Sequence, residues 1–258
     1  MTTANPPALQ LYTVREQLAA DRKGVLAQIA AFGYGAVEAF NVLSDTGGLL
    51  ADLAAAGLRV CSVHATPSGE QADAIAAAVR TLGADTVIVP HMPPARFADA
   101  DSVQALAREL NDMASWSAGQ GLRLGYHNHD FELSSLIDGR PALEVLADAL
   151  DDSVILEVDT YWAAVGGQDV PALLGRLGER VRYLHVKDGP VVNRDDFMTA
   201  VGAGRMPVAD ILAASPSAQW HVVELDRCAT DMLTAVGDSL AWLVAHGLAE
   251  PAAARRGA

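Results

Sequence analysis

The sequence predicts an α/β fold, a (β/α)8 barrel, on three observations. Short β-like runs alternate with longer Ala/Leu-rich helical stretches along nearly all of the 258 residues, the pattern of parallel strands joined by crossover helices. Eight such runs can be placed, so each strand–helix unit takes roughly 30 residues, close to the roughly 250 residues of an eight-fold barrel. Gly33, Gly57, Gly83, Gly121 and Gly178 each stand between a helical stretch and the next strand, where a left-handed residue commonly closes a helix.

The strands are expected at 8–13, 36–40, 58–64, 86–90, 122–127, 154–159, 181–187 and 220–225. After the first comes Leu11-Tyr12-Thr13-Val14-Arg15 rather than a Gly-rich phosphate turn, which counts against a doubly wound sheet. Between the third and fourth, residues 70–82 read as a helix with Ile75, Val79 and Leu82 on one face; Ser68 and Gln71 form a capping-box pattern before it. Gly202-Ala203-Gly204 follows no strand and precedes Met206 and Pro207, so it is no dinucleotide fingerprint. Residues 1–250 read as one barrel domain and residues 251–258 as a frayed tail.

Composition limits the partners. With 32 acidic against 18 basic side chains the net charge is −14, and no Lys/Arg-rich run is present, so neither nucleic acid nor an anionic membrane surface is an expected partner. No stretch approaches the roughly 18 apolar residues of a membrane span. Met1 to Ala8 lack a secretory pattern. Cys61 and Cys228 are the only cysteines, which fits free thiols in a reducing cytoplasm.

Strand phase supplies the chemistry, because alternate residues of a strand point to opposite faces and the helix-facing side must be apolar. If Val154, Leu156 and Val158 face the helices, Glu157 and Asp159 point into the barrel. Leu184 and Val186 likewise leave Tyr183, His185 and Lys187 inside. Val223 and Leu225 leave Val222, Glu224 and Asp226 inside, and Leu122, Leu124 and Tyr126 leave Gly125, His127 and His129 there. Asp159, His185 and Glu224 thus converge at the C-terminal ends of three strands, where barrels of this kind carry their active sites. Carboxylates brought together need a counter-charge, and a divalent cation bound by carboxylate and imidazole would supply it. Mn²⁺ is placed first, with Co²⁺, Mg²⁺, Fe²⁺ and Zn²⁺ also compatible.

Gln10-Leu11-Tyr12-Thr13-Val14-Arg15, Tyr126-His127-Asn128-His129-Asp130-Phe131-Glu132, Val158-Asp159-Thr160-Tyr161-Trp162 and Leu184-His185-Val186-Lys187-Asp188-Gly189 resemble a known group. Together with Gly202-Ala203-Gly204 and Val223-Glu224-Leu225-Asp226, they are similar to the sugar phosphate isomerase/epimerase family of the xylose isomerase-like TIM barrel superfamily. The resemblance implies a catalytic divalent metal with ligands at Asp159, His185 and Glu224. It places His127 where the family usually has a ligand Glu, which removes one negative charge and one candidate base. Trp162 replaces a common His and suits stacking on a sugar face. The subset with the Tyr-His-Asn-His-Asp-Phe-Glu pattern resembles enzymes acting on 3-keto-sugars and their glycosides. The implied chemistry removes a proton beside a carbonyl to give an enolate, leading to isomerisation, epimerisation or β-elimination.

Glu224, His129, Lys187 and Glu157 are the candidate acid/base groups, and Glu38, His64, Trp162 and Tyr12 the candidate substrate contacts. Each has a plainer alternative. Glu38 and His64 would serve equally as hydrogen-bonded structural residues, Glu157 as the partner of Arg123, and Lys187 as the partner of Asp188 or Glu157. His91 reads equally as a solvated loop residue. Two rival functions stay open: a metal-independent aldolase with Lys187 as Schiff-base amine, and a non-catalytic sugar-binding subunit. Endonuclease action at abasic sites is disfavoured by the charge. The absence of an Arg/Lys cluster after the last two strands favours an unphosphorylated sugar or glycoside. The sequence leaves a homo-oligomer open.

Overall fold

A computed structural model describes residues 7–252. Eight parallel strands close into a barrel: β1 (Ala8–Gln10), β2 (Ala36–Phe40), β3 (Arg59–His64), β4 (Thr86–Val89), β5 (Arg123–His127), β6 (Ile155–Asp159), β7 (Val181–Val186) and β8 (Trp220–Val223). Closure is made by β1, whose Ala8 pairs with Ala36 on one side and Val222 on the other. Helices α1 (Arg15–Phe32), α2 (Thr46–Ala56), α3 (Ala72–Thr81), α4 (Ala100–Gly119), α5 (Ala142–Ala149), α6 (Val170–Leu177), α7 (Val208–Ala214) and α8 (Met232–Ala245) return the chain between strands. Two short helices, Phe131–Ser134 and Thr160–Val165, sit directly after β5 and β6.

The apolar residues divide as the strand phase requires. Val37, Val63, Val87, Leu124, Leu156, Val158, Leu184 and Val223 join the layer between barrel and helices. Ala8, Ala36, Cys61, Ile88, Ile155, Tyr183 and Val222 form a separate plug inside the barrel. That plug is the floor on which the polar layer rests, and the Tyr183 hydroxyl ties it together by donating to the Cys61 carbonyl at 3.1 Å.

Several local expectations are corrected. β1 stops at Gln10 because its side chain accepts from the Tyr12 amide (3.0 Å), turning Leu11–Val14 into a 3-10 helix. Ser68 makes no side-chain cap bond; Gly69–Gln71 is a separate 3-10 turn ahead of α3. Gly33, Gly57, Gly83 and Gly121 do adopt positive φ, but Gly178 (φ 60°, ψ −140°) is not left-handed helical. A register shift between β2 and β3 breaks alternation there, so Cys61 faces the plug while the next side chain, Ser62, donates to Glu38. At the C-terminal end, the Ala252 amide donates to the Gly33 carbonyl (2.8 Å), so the expected tail is docked at its start; residues 253–258 lie outside the described residues.

Candidate active site

Register alone brings the key side chains together. His127 pairs with Glu157 across β5 and β6, Asp159 with His185 across β6 and β7, and His185 with Val222 across β7 and β8. His127, Asp159, His185 and Glu224 therefore converge, each buried, and can offer one donor atom apiece within 4.8 Å of the others.

His127, His185 and Asp159 are each held by the atom remote from the others, which turns the second atom toward the centre. His127 Nδ1 lies 3.1 Å from Glu157 Oε2, while its Nε2 faces Asp159 Oδ2 at 3.8 Å. His185 Nε2 lies 2.7 Å from Glu38 Oε1, while its Nδ1 faces Glu224 Oε2 at 2.7 Å. Asp159 Oδ1 caps the following helix by accepting from the Trp162 amide at 2.8 Å. Its Oδ2 is buried without a directed hydrogen bond and only ion-pairs with Lys187 Nζ, at 2.8 Å. Imidazoles backed by carboxylates are the usual outer arrangement of a metal site, so the donor set fits a divalent cation bound by two oxygens and two nitrogens. A second grouping, His64, His127, Glu157 and His185, is also close enough, but it would use up the carboxylate that backs His127.

The charge balance agrees with this reading. Glu38, Glu157, Asp159, Glu224 and Asp226 face one lysine and three imidazoles. Burial opposes ionisation of Glu38, yet the charges of His64 and His185 outweigh it and hold its carboxyl well below the usual range. Burial also disfavours charge on His64, but Glu38 and Glu157 raise its pKa to about 10. His127 goes the other way: burial, then the charge of His185, keeps it neutral as a ligand must be. Lys187 Nζ sits 2.8, 2.7 and 2.7 Å from Asp159, Glu224 and Asp226, and these carboxylates overcome burial to keep it protonated.

Above the quartet opens a cavity of about 390 Å³, lined among others by Tyr12, His64, His129, Trp162, Lys187 and Glu224. All six of these were expected at the mouth or in the chemistry, and His91 also lines it. Glu38, expected to reach substrate, lies beneath the cavity at 0% exposure; it accepts from Gln10 and Ser62 and meets both His64 and His185. Glu157 is also fully buried and contacts His64 (2.6 Å), His127 and His185 rather than Arg123. Arg123 pairs instead with Asp85 at the opposite end of the strand, because the in-register neighbour of Glu157 is His127. Lys187 does not pair with Asp188, whose carboxylate accepts from the amides of Gly189, Gly202, Gly204 and Met206. This explains the Gly-Ala-Gly segment: a Cβ on Gly204 would lie 2.1 Å from Asp188 Oδ1.

Two supporting residues carried no assigned role in the sequence. Asn128 accepts from the Asp159 amide (3.0 Å) and so pins the tip of β6 to β5. Glu132 accepts from the Tyr126 hydroxyl (2.8 Å) and the His129 amide (2.9 Å), which fixes the turn presenting His129. Their signal was the polar spacing inside the 126–132 motif. Burial raises the Glu132 pKa from 4.5 to about 7, so the folded chain holds a proton there that the unfolded chain has released. Its contribution to stability is full below pH 4.5 and lost as pH rises to about 7. Glu132→Gln is expected to flatten that fall, of order 3 kcal/mol, in urea melts from pH 4 to 8; an unchanged slope would show that Glu132 is not its source.

A family model described as Xylose isomerase-like TIM barrel matches residues 26–246. The inosose dehydratase of Mesomycoplasma hyopneumoniae is 34% identical over 84 residues, covering 32% of this chain and 27% of that protein. The inosose dehydratase of Geobacillus kaustophilus is 28% identical over 134 residues, covering 46% and 42%. The chain thus spans less than half the length of these curated relatives. Among solved structures, a sugar phosphate isomerase/epimerase from Parabacteroides distasonis is similar with a TM-score of 0.79 and 24% identity, over 96% of this chain and 97% of that one. A probable 3-DHS dehydratase from Bacillus anthracis gives 0.71 and 12% identity over 93% and 98%. At these identities the structural likeness speaks for the fold.

Proposed function

The chain belongs to the xylose isomerase-like TIM barrel family, and on that premise we propose that it is a divalent-metal-dependent enzyme removing a proton beside the carbonyl of a keto-sugar or keto-glycoside. The observation that carries this is the quartet His127, Asp159, His185 and Glu224, with both imidazoles backed by carboxylates, under a cavity sized for a small ligand. Mn²⁺ is the metal placed first. A cation held there would polarise the ketone and stabilise the negative charge that develops on its oxygen.

The side chains divide the remaining work. Glu224 lies at the cavity wall with Oε2 held by His185 and Lys187, and it takes the proton from carbon. His129 is neutral, because burial and then the charge of Lys187 lower its pKa to about 3. Its buried Nδ1 has no hydrogen-bond partner among the described residues, so it is free to orient a substrate hydroxyl. Trp162 and Tyr12 supply aromatic walls for the sugar. Glu38 and Glu157 act as positioning residues behind the two histidines. The inosose dehydratases among the similar proteins favour the branch in which the enolate expels a β-oxygen group, the hydroxyl of a free sugar or the alkoxyl of a glycoside.

Two competing readings lose support. A Schiff-base amine must be unprotonated, and three carboxylates hold the proton on Lys187. The non-catalytic reading is weakened because the carboxylate that His127 replaces has a counterpart in Glu157, directly behind His127. The protein as purified is expected to contain a divalent metal by elemental analysis. Given Mn²⁺ and a 3-keto-glucoside in D₂O, it should exchange the proton beside the ketone and release an enone by NMR. Neither exchange nor product with any of the five metals would overturn the proposal.

A further inference from the structure

Expulsion of a β-oxygen group needs an acid as well as a base, because the departing oxygen takes up a proton. His91, which the sequence left as a loop residue, stands where that acid is required. In the strand order of the closed barrel, β8 and β4 lie four strands apart in either direction. Glu224 follows the end of β8 and His91 follows the end of β4, so the two line one cavity from opposite walls. A row of rings leads out to His91 from the quartet, with centroids 5.3 Å apart from His127 to His129 and 5.2 Å apart from His129 to His91.

The strand ends at Val89, so alternation no longer sets the direction of His91 and packing does. Its ring meets His129 and Phe131 edge-on, at 5.2 and 5.8 Å, and those two rings lie parallel to each other at 5.7 Å. Pro90, Pro93 and Pro94, whose φ angles are fixed, flank it, and Met92 beside it is buried. The ring is thus held although the residue is exposed. Among the described residues its nitrogens have no hydrogen-bond or ion-pair partner. Other proton carriers at the cavity are engaged or stand elsewhere. Lys187 contacts three carboxylates, and His64 Nε2 contacts Glu38 (3.0 Å) and Glu157 (2.6 Å). Tyr12 follows β1, the barrel neighbour of β8, which puts it on the side of the base.

We infer that His91 is the general acid of the reaction and donates a proton to the departing β-oxygen from the wall opposite Glu224. The inference rests on the keto-sugar reading above and adds the proton donor to it. Glu224 takes the proton from the carbon beside the ketone, and the C–H electron pair forms the enolate. Collapse of the enolate restores the ketone and forms the C=C bond as the C–O bond at the β-carbon breaks. The oxygen leaves with the C–O pair and is protonated by His91. Solvent then returns a proton to His91 and removes the one on Glu224, so the products are an enone and an alcohol or water.

Two leaving groups separate this role from a structural one, since methoxide is too basic to depart without a proton and 4-nitrophenoxide needs little help. With the Mn²⁺-loaded full chain, His91→Gln is expected to lower kcat/KM for elimination from methyl 3-keto-β-glucoside about 100-fold. Elimination from 4-nitrophenyl 3-keto-β-glucoside should fall far less, and methyl glycoside recovered from D₂O should still carry deuterium beside the ketone. Because His91 is exposed, the variant should melt with the wild type. An equal fall for both glycosides, no fall for either, or loss of deuterium exchange together with elimination overturns the inference. A wild-type protein that exchanges the proton but never expels methoxide also overturns it and leaves the keto-sugar reading standing. A wild-type protein that exchanges no proton in either glycoside overturns that reading, and the acid falls with it.

Discussion

Asp159→Asn is expected to lose bound metal and to lower turnover of a keto-sugar about 10³-fold, since the cation's contribution to the transition state is worth several kcal/mol. The substitution is nearly isosteric. Asn keeps an oxygen for the Trp162 amide, the bond that starts the helix after β6, so the barrel should melt close to the wild-type temperature. What changes is the inward atom, Oδ2, which is buried without a directed hydrogen bond. A graded companion makes the result specific. Glu38→Gln leaves every proposed ligand in place but weakens the acceptor behind His185 Nε2, and it should lower metal affinity about 10–100-fold. Metal content by elemental analysis and titration with Mn²⁺ would check both. Asp159→Asn protein that retains metal at full stoichiometry would remove Asp159 from the ligand set.

Much of this arrangement was legible in the sequence because it depends on face, and face follows from strict alternation against an apolar helical layer. Asp159, His185 and Glu224 were placed on the inner side by Val158, Val186 and Val223, and all three valines do lie in the outer layer. Depth and partnership were less legible. Alternation says that Glu157 points inward but not which side chain meets it; that follows from interstrand register, which pairs it with His127 and leaves Arg123 four residues away along β5. Lys187 and Asp188 are adjacent and so point to opposite sides, one into the site and the other to the Gly202–Gly204 amides. Glu38 was expected as a substrate contact or a hydrogen-bonded structural residue, yet its contacts with Gln10 and His185 span 28 and 147 residues of sequence, a relation that local pattern does not carry. The extent of β1 escaped for a different reason: one side-chain bond from Gln10 to the Tyr12 amide ends the strand, and hydrophobic periodicity is blind to it.

Lys187→Met should be the most destabilising single substitution in the site. The methionine stem fills much of the same volume, so the effect isolates the charge. Removing the ammonium leaves Asp159, Glu224 and Asp226 facing one another without it, and breaking a buried pair from one side typically costs about 3–5 kcal/mol. For a chain of this size that corresponds to a fall in Tm of roughly 10 °C. The loss should also be conditional. A divalent cation bound to Asp159 and Glu224 neutralises the same carboxylates, so Mn²⁺ at 100 times its Kd would return about 2.7 kcal/mol by mass action, and calorimetric melts with and without metal would separate the two contributions. If Lys187 were a Schiff-base amine, the wild-type protein would instead gain a stable covalent mass on borohydride treatment with a keto-sugar. The triply paired ammonium predicts no such adduct, and finding one would transfer the chemistry from the quartet to the lysine. A Lys187→Met protein as stable as wild type without metal would show that the carboxylates lower their charge by taking up protons, and would place Lys187 outside the electrostatic framework of the site.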